Sequence, residues 1–442
     1  MAAHVLEAAL TSDTSGQLWS SCLWDLQSGT TLATYKGDGS GPRGLCLLGN
    51  QYLLSAANNK PLIHVWALQR RDHVQQRMVC GGRVSAMAVS PDGNFVVAGI
   101  AEKINIWQVC TGNLLAVLTR HYQGVTCLSF TDDGSHFLSA GDDNLVLVWP
   151  LHSVLSGAST AVGHSPEPRH TLSHHSLPVT DLYCGCGGLQ ARAASASLDQ
   201  TCKLFEVSSG QVLMSVSFDV SITSVTMDTA ETRLFAGGIN GNIHQVNLHA
   251  QPVQREKHIE DTDDDQRQIF KGHGKQVTCL SVSMDGSQLL SGSHDHSARL
   301  WDIPSMQCVR TFSHKGPVTN AMLLQPPSPM LSGRGKPSAL LQPFKRHLHI
   351  QGQGEDREEG TRDTVDVRLG QYQKQGMVSE GLHQDYSDLK RVHSYTEQKD
   401  IQEKSEHVSK QDLEFEVKRL KHINQELYQY AAQNIFNSKG TS

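Results

Sequence analysis

Up to about residue 324 the apolar positions fall in short runs separated by turn residues. "VTCLSF" (125–130), "HFLSAG" (136–141) and "LVLVW" (145–149) are rich in β-branched and aromatic residues, and "TDDGS" (131–135) punctuates them. This pattern predicts strands. No window here sustains the i, i+3, i+4, i+7 spacing of an amphipathic helix. "SPDGN" (90–94) and "SMDGS" (283–287) fill the same turn elsewhere. There Asp accepts local backbone hydrogen bonds and Gly takes a positive φ.

The strands recur with a period. "CLWDL", "HVWAL", "NIWQV", "LVWPL", "KLFEV", "HQVNL" and "RLWDI" place Trp24, Trp66, Trp107, Trp149, Phe205, Val246 and Trp301 at intervals of 42, 41, 42, 56, 41 and 55 residues. A four-stranded unit of roughly 40–45 residues ending in W-D resembles the WD-repeat propeller family. The two long intervals are insertions, predicted as loops over 152–174 and 250–268, the second carrying the acidic run Glu260–Asp265. The first unit lacks an innermost strand, and "SHKGPVTNAMLL" (313–324) supplies one. The expected fold is therefore all-β: a seven-bladed WD-repeat β-propeller over residues 1–324, closed by Val318–Leu324 so that no long edge stays unpaired.

"LLSGSHDHSARLWDI" (289–303) gathers Ser291, His294, Asp295 and His296, the residue types of a hydrolase triad or a metal site. Its sister units decide between chemistry and architecture. His273, Ser291, Asp295 and Trp301 are spaced 18, 4 and 6 apart, as are His121, Ser139, Asp143 and Trp149. His175, Ser195 and Asp199 recur in the fifth unit, with Phe205 in place of Trp. An active site is built once per domain, so an array repeated three times predicts a structural brace. The WD resemblance implies a hydrogen-bonded chain from Trp through Ser and His to Asp, in which buried polar groups satisfy one another. His294 and His296 are expected on an exposed turn. The G-x-S-x-G elbow of a serine hydrolase is missing, and four convergent zinc ligands do not occur. No catalytic, metal or cofactor-binding residue is expected, and no cofactor. The second, third and sixth units have Lys60, Ala101 and Asn240 at the Asp position.

Charge and cysteines narrow the setting. Lys+Arg number 38 against Asp+Glu 44, a net charge of −6, so no global positive field draws the chain to nucleic acid or a membrane. Ten scattered cysteines suggest free, mostly buried thiols in a reducing compartment. Cys184-x-Cys186 alone is far short of a zinc spacing. "MAAHVLEAAL" lacks the plan of a signal peptide, and no apolar run reaches the length of a membrane span. A soluble intracellular protein is expected.

After Leu324 the composition shifts. "QPPSPMLSGRGKPS" opens a linker, and 325–405 is predicted to be mostly disordered. "KRHLH" (345–349) is a small basic cluster, too short for a nuclear signal by itself. Over 406–436, Leu413, Val417, Leu420, Asn424, Leu427 and Ala431 follow the alternating steps of a coiled-coil seam. Asn424 at an a position favours a two-stranded pair, so a homodimer through this helix is expected; docking on a partner is the alternative.

Within the WD-repeat family, "CLWDLQSG", "SHFLSAGDDNLVLVW", "SLDQTCKLFEVSSGQ", "FDVSITSVTMD", "GHGKQVTCLSVSMDGSQLLSGSHD" and "KGPVTNAMLL" resemble the scaffold subunits of Rix-type large-ribosomal-subunit maturation complexes. The resemblance implies a non-catalytic adaptor working with a proline-, glutamate- and leucine-rich protein and a testis-expressed partner. It implies a midasin-type AAA ATPase on large-subunit precursors, processing of the internal transcribed spacer, and residence in the nucleus, in nucleolus and nucleoplasm, with the cytoplasm as a further location. Direct contact with RNA is left open, and no membrane is involved. The alternative is a WD-repeat substrate receptor of a ubiquitin ligase, against which no recognisable F-box precedes the repeats, or another generic protein-interaction adaptor.

Overall fold

The computed structural model describes residues 7–17, 19–70, 74, 76–158, 166–249, 255–259, 268–332 and 341–348. The acidic run Glu260–Asp265, the rest of the linker and the coiled-coil seam lie outside the described residues.

The described strands form seven sheets. Each has an antiparallel four-stranded core whose innermost strand packs against the innermost strands of its two neighbours, which makes a ring. The innermost strands of blades 2 to 7 are Ser40–Leu48, Val84–Val89, Val125–Phe130, Val179–Cys184, Ile222–Met227 and Val277–Val282. In blade 1 that strand comes from the far end of the repeat region: Val318–Leu324 pairs antiparallel with Ala8–Asp13, from Ala8 opposite Leu324 to Asp13 opposite Val318. Seven blades and the closing strand follow the sequence period. The turns follow it too: Gly93, Gly134 and Gly286 have φ of 71°, 69° and 68°. In the fourth blade Asp133 accepts from Thr131 Oγ1 (2.6 Å) and from the backbone N–H of Ser135 (3.0 Å).

Apolar side chains on alternate strand positions face the neighbouring blade, so the core is a set of slabs between sheets. One joins blades 3 and 4 through Val97, Ile106, Phe137 and Trp149. The inner seams carry a second, polar device. Each innermost strand of blades 3 to 7 bulges by one residue, at a Ser or Thr. That hydroxyl reaches a carbonyl of the next blade: Ser85 to Val125 O (2.5 Å), Thr126 to Val179 O (2.6 Å), Thr180 to Ile222 O (2.9 Å) and Thr223 to Val277 O. Thr278 to Val318 O (2.7 Å) and Thr319 to Ser40 O (3.1 Å) continue the series. At the seam between blades 2 and 3 the corresponding residue is Gly41, which has no hydroxyl.

Two expectations need correction. The insertion 152–174 is not all loop: a helix, Leu151–Ala158, follows the third strand of blade 4, and His170–Leu172 is that blade's outer strand. Leu151 and Val154, with Leu155 beside them, put a narrow apolar stripe on the slab containing Trp149. Two turns are too short for a periodicity to register. The insertion 250–268 contributes Glu256–Ile259, which pairs parallel with Val212–Phe218 as a fifth strand of blade 5. Its "EKHI" sequence is polar because an edge strand is held chiefly by backbone hydrogen bonds. Within 325–405 the described residues include Ser328–Ser332, which is helical with Met330 buried, and 341–348, which lies against blades 2 and 3. Among the described residues no helix is long and apolar enough to cross a membrane.

Closure by a strand from the far end makes the ring cooperative. Deleting Ser313–Leu324 exposes the Ala8–Asp13 edge and one face of blade 7, and is expected to abolish or sharply lower the calorimetric melting transition. An unchanged melting temperature would show that the closing strand is dispensable.

Candidate functional site

The residues singled out by repetition meet in space. In blade 4 the Trp149 indole N–H donates to Ser139 Oγ at 2.9 Å, and Ser139 Oγ lies 2.8 Å from His121 Nε2. His121 Nδ1 lies 2.9 Å from Asp143 Oδ2, and Asp143 also accepts from the Tyr122 and Leu145 backbone N–H groups. In blade 7 the distances for Trp301–Ser291, Ser291–His273 and His273–Asp295 are 2.8, 2.7 and 2.8 Å. In blade 5 His175 bridges Ser195 (2.7 Å) and Asp199 (2.9 Å), and the chain stops at the buried Phe205 ring.

Chemistry fixes the protons. A carboxylate only accepts, so His Nδ1 carries hydrogen and Nε2 accepts from the serine, whose oxygen accepts from the indole. In blades 4 and 7 each N–H and O–H along the chain is thereby donated to the next group. Ser139, Ser195 and Ser291 are buried, so their hydroxyls are not presented to a substrate carbonyl. Burial pushes the Asp295 carboxyl up, but hydrogen bonds from Ser297 and His273 outweigh it and hold it down at about 2. Burial pushes His273 below its ordinary value, against the pull of Asp295, which favours the neutral ring that the chain needs. His294 and His296 stand outside the chain. His294 is half-buried and meets Gln276 Nε2 at 2.8 Å, whereas His296 is exposed on the turn with φ of 67°.

A fourth brace escaped the repeat comparison because the two ends of the repeat region build it. Thr11 occupies the serine position, and the Trp24 indole N–H donates to its Oγ1 at 2.7 Å. His314 occupies the histidine position, four residues before Val318 as His273 is four before Val277. That spacing was the available signal. Its Nδ1 lies 3.9 Å from Asp13 Oδ2, too far for a hydrogen bond, and both ring nitrogens lack a hydrogen-bond partner. Blades 2 and 3 use backbone instead: Trp66 donates to Lys36 O (3.1 Å) and Trp107 to Lys345 O (2.8 Å).

The family model "WD domain, G-beta repeat" matches residues 112–150 and 264–302, the segments that hold the two complete Trp–Ser–His–Asp chains. Human WD repeat-containing protein 18 is 48% identical over 433 residues, 97% of this chain and 98% of that protein. The chain belongs to the WD repeat-containing protein 18 family. The Danio rerio member is 45% identical over 430 residues, again 97% of this chain and 98% of its own. "Pre-rRNA-processing protein pro-1" of Caenorhabditis elegans is 29% identical over 336 residues, 74% of this chain and 63% of that protein. WD β-propellers are generally non-catalytic scaffolds, in keeping with the sealed serines.

In this member of the family the central channel is crossed by an ion pair. The innermost strand of blade 2 loses register between Ser40 and Leu45, and Arg43, at φ of 49°, leaves it to reach Asp181 of blade 5. Asp181 also accepts from the backbone N–H of Val225 and of Leu182, both at 2.8 Å. Burial opposes the Arg43 charge, but the Asp181 carboxylate outweighs it and raises the guanidinium further. Beside this strut lies a cavity of about 210 Å3 with walls from all seven blades, Met87, Cys127 and Asn320 among them. Among the described residues no cluster of three or more His, Cys, Asp or Glu is placed to hold a metal ion. The cysteines are free: Cys22, Cys80, Cys127 and Cys202 are buried, Cys186 and Cys308 exposed, and the others half-buried.

The loose brace in the closing blade makes acid stability testable. The His314 side chain is 0% exposed, and burial lowers its pKa from 6.5 to about 4 despite the pull of Asp13. Above pH 6.5 neither state binds the proton. As the pH falls from there to about 4 the unfolded chain takes it and the native one does not, so stability drops by up to about 3 kcal/mol. His314→Leu removes that loss, so calorimetric melting temperatures at pH 7 and pH 4.5 should lie closer together in the variant. Burial also lowers His64 and His273, which keep part of the slope. An equal pH dependence in both proteins refutes the assignment to His314.

Proposed function

We propose that the protein is a non-catalytic scaffold of ribosome biogenesis, a subunit of a nuclear Rix-type complex that matures the large-subunit precursor. The observation that carries this reading is identity of 48% over 97% of the chain to WD repeat-containing protein 18, joined by 29% identity to a protein named for pre-rRNA processing. The geometry agrees with a scaffold. Repeated residues of catalytic type are used up in internal braces, leaving loops, rim and tail as the surfaces that differ between blades. On this reading the partners are the proline-, glutamate- and leucine-rich protein, the testis-expressed protein and a midasin-type AAA ATPase, and the location is nucleolus and nucleoplasm.

Affinity purification of the tagged full chain from nuclear extract should enrich large-subunit assembly factors. Depleting the protein should accumulate precursors that retain the internal transcribed spacer, read by northern hybridisation. Recovery of cullin-type ligase subunits with unchanged precursor levels would instead favour the ubiquitin-ligase receptor.

The C-terminal segment is proposed to make the scaffold two-fold through Leu413, Val417, Leu420, Asn424, Leu427 and Ala431. Sedimentation equilibrium should then give a dimer for the full chain and a monomer for a chain ending near residue 400. The same association state in both removes the dimer.

A further inference from the structure

The segment Leu341–Leu348 fills a slot on the rim between blades 2 and 3, and the slot has the parts of a peptide-binding site. Phe344 is its one buried side chain, stacked on the Trp107 ring with centroids 5.2 Å apart and planes 10° from parallel. Backbone bonds fix the segment on either side: Gln342 N–H to Val109 O (3.3 Å), Lys345 N–H to Gly112 O (2.8 Å) and the Trp107 indole N–H to Lys345 O (2.8 Å). Arg346 Nε reaches across to Val79 O of blade 2 at 3.1 Å, and Leu348 bridges to Leu114. Gly112 has φ of 67°, and a Cβ there would collide with Pro343 O.

This slot lies where two of the ring's repeated polar devices are missing. Blade 3 has Cys80, Ala98 and Ala101 where blade 4 has His121, Ser139 and Asp143, so its own strands offer the Trp107 indole no side-chain acceptor. Its seam with blade 2 also lacks the hydroxyl bridge seen at the other six. Emptying the slot would expose the Trp107 ring that Phe344 covers to water, so occupation is favoured. The hold is nevertheless slight. Pro343, Lys345, Arg346, His347 and Leu348 are all exposed around a single aromatic anchor. One anchor plus main-chain bonds is how short peptides are recognised in trans, and an element so held opens far more easily than a core strand.

We propose that this rim slot is an exchangeable peptide-binding site that recognises a Phe with an Arg two residues further on, filled at rest by the chain's own Phe344 and Arg346 and able to take the same segment of a second copy. Identity of sequence guarantees the fit, and the exchange needs no new surface. The inference is independent of the ribosomal reading.

The test uses the full chain carrying Phe344→Ala, which keeps the slot but disables its own occupant. Its melting temperature should fall by roughly 5 °C. A synthetic peptide of residues 341–348 should bind it with a dissociation constant below about 100 μM and recover part of the shift, and the same peptide with Phe344→Ala should bind at least tenfold more weakly. An unchanged melting temperature, no binding, or equal binding by both peptides overturns the proposal. Should the variant fail to fold, a protease site placed between Ser332 and Leu341 of the otherwise native chain gives a second readout. After cleavage the C-terminal fragment should co-elute with the propeller and be released by excess native peptide. Immediate loss of the fragment, or retention that the peptide does not reverse, overturns it equally.

Discussion

A buried hydrogen-bonding group without a partner costs about 1–3 kcal/mol, and a ring of seven sheets buries such groups at every seam. The indole N–H that anchors a repeat is the clearest case. Blades 4 and 7 satisfy it with Ser139 and Ser291, backed by His and Asp; blade 1 uses Thr11, blade 2 the Lys36 carbonyl and blade 3 the Lys345 carbonyl. One demand thus has four solutions. Blade 5 removes the demand by replacing Trp with Phe205. The inner hydroxyl bridges obey the same constraint one layer further in, each covering a carbonyl that a β-bulge would otherwise leave to water.

That constraint explains which features could be read from the chain. Trp24 to Trp301 recur because the same strand must do the same work in each blade, so the period, the blade count and the closing strand were legible. His121, His175 and His273 with their partners were legible for the same reason. Thr11 and His314 were not, because their blade is assembled from residues about 300 apart and no single unit shows them together. Arg43 belongs to a register break unique to blade 2. Phe344 lies in a stretch whose polarity reads as linker, since only one of its side chains is buried. A single anchor leaves no periodicity.

The irregular solutions cluster. Blades 1 to 3 contain both ends of the described chain, the Arg43 bulge, the seam without a hydroxyl bridge and the docked Leu341–Leu348 segment. Blades 4 and 7 hold the complete braces, and blade 5 keeps the Ser–His–Asp part. A regular brace is generic, because it would serve any propeller. An irregular one ties a particular surface to a particular sequence.

Arg43 shows how such a device differs from ordinary stabilisation. A buried ion pair does little for net stability compared with apolar packing, and the channel could have been lined with aliphatic residues as the blade interfaces are. Crossing from blade 2 to blade 5, the guanidinium instead fixes two opposite blades relative to each other, and its bond to Thr223 O draws in blade 6. Unlike an apolar plug, such a pair depends on the direction in which its groups face each other. That rigidity starts from blade 2, whose innermost strand departs furthest from the repeated register.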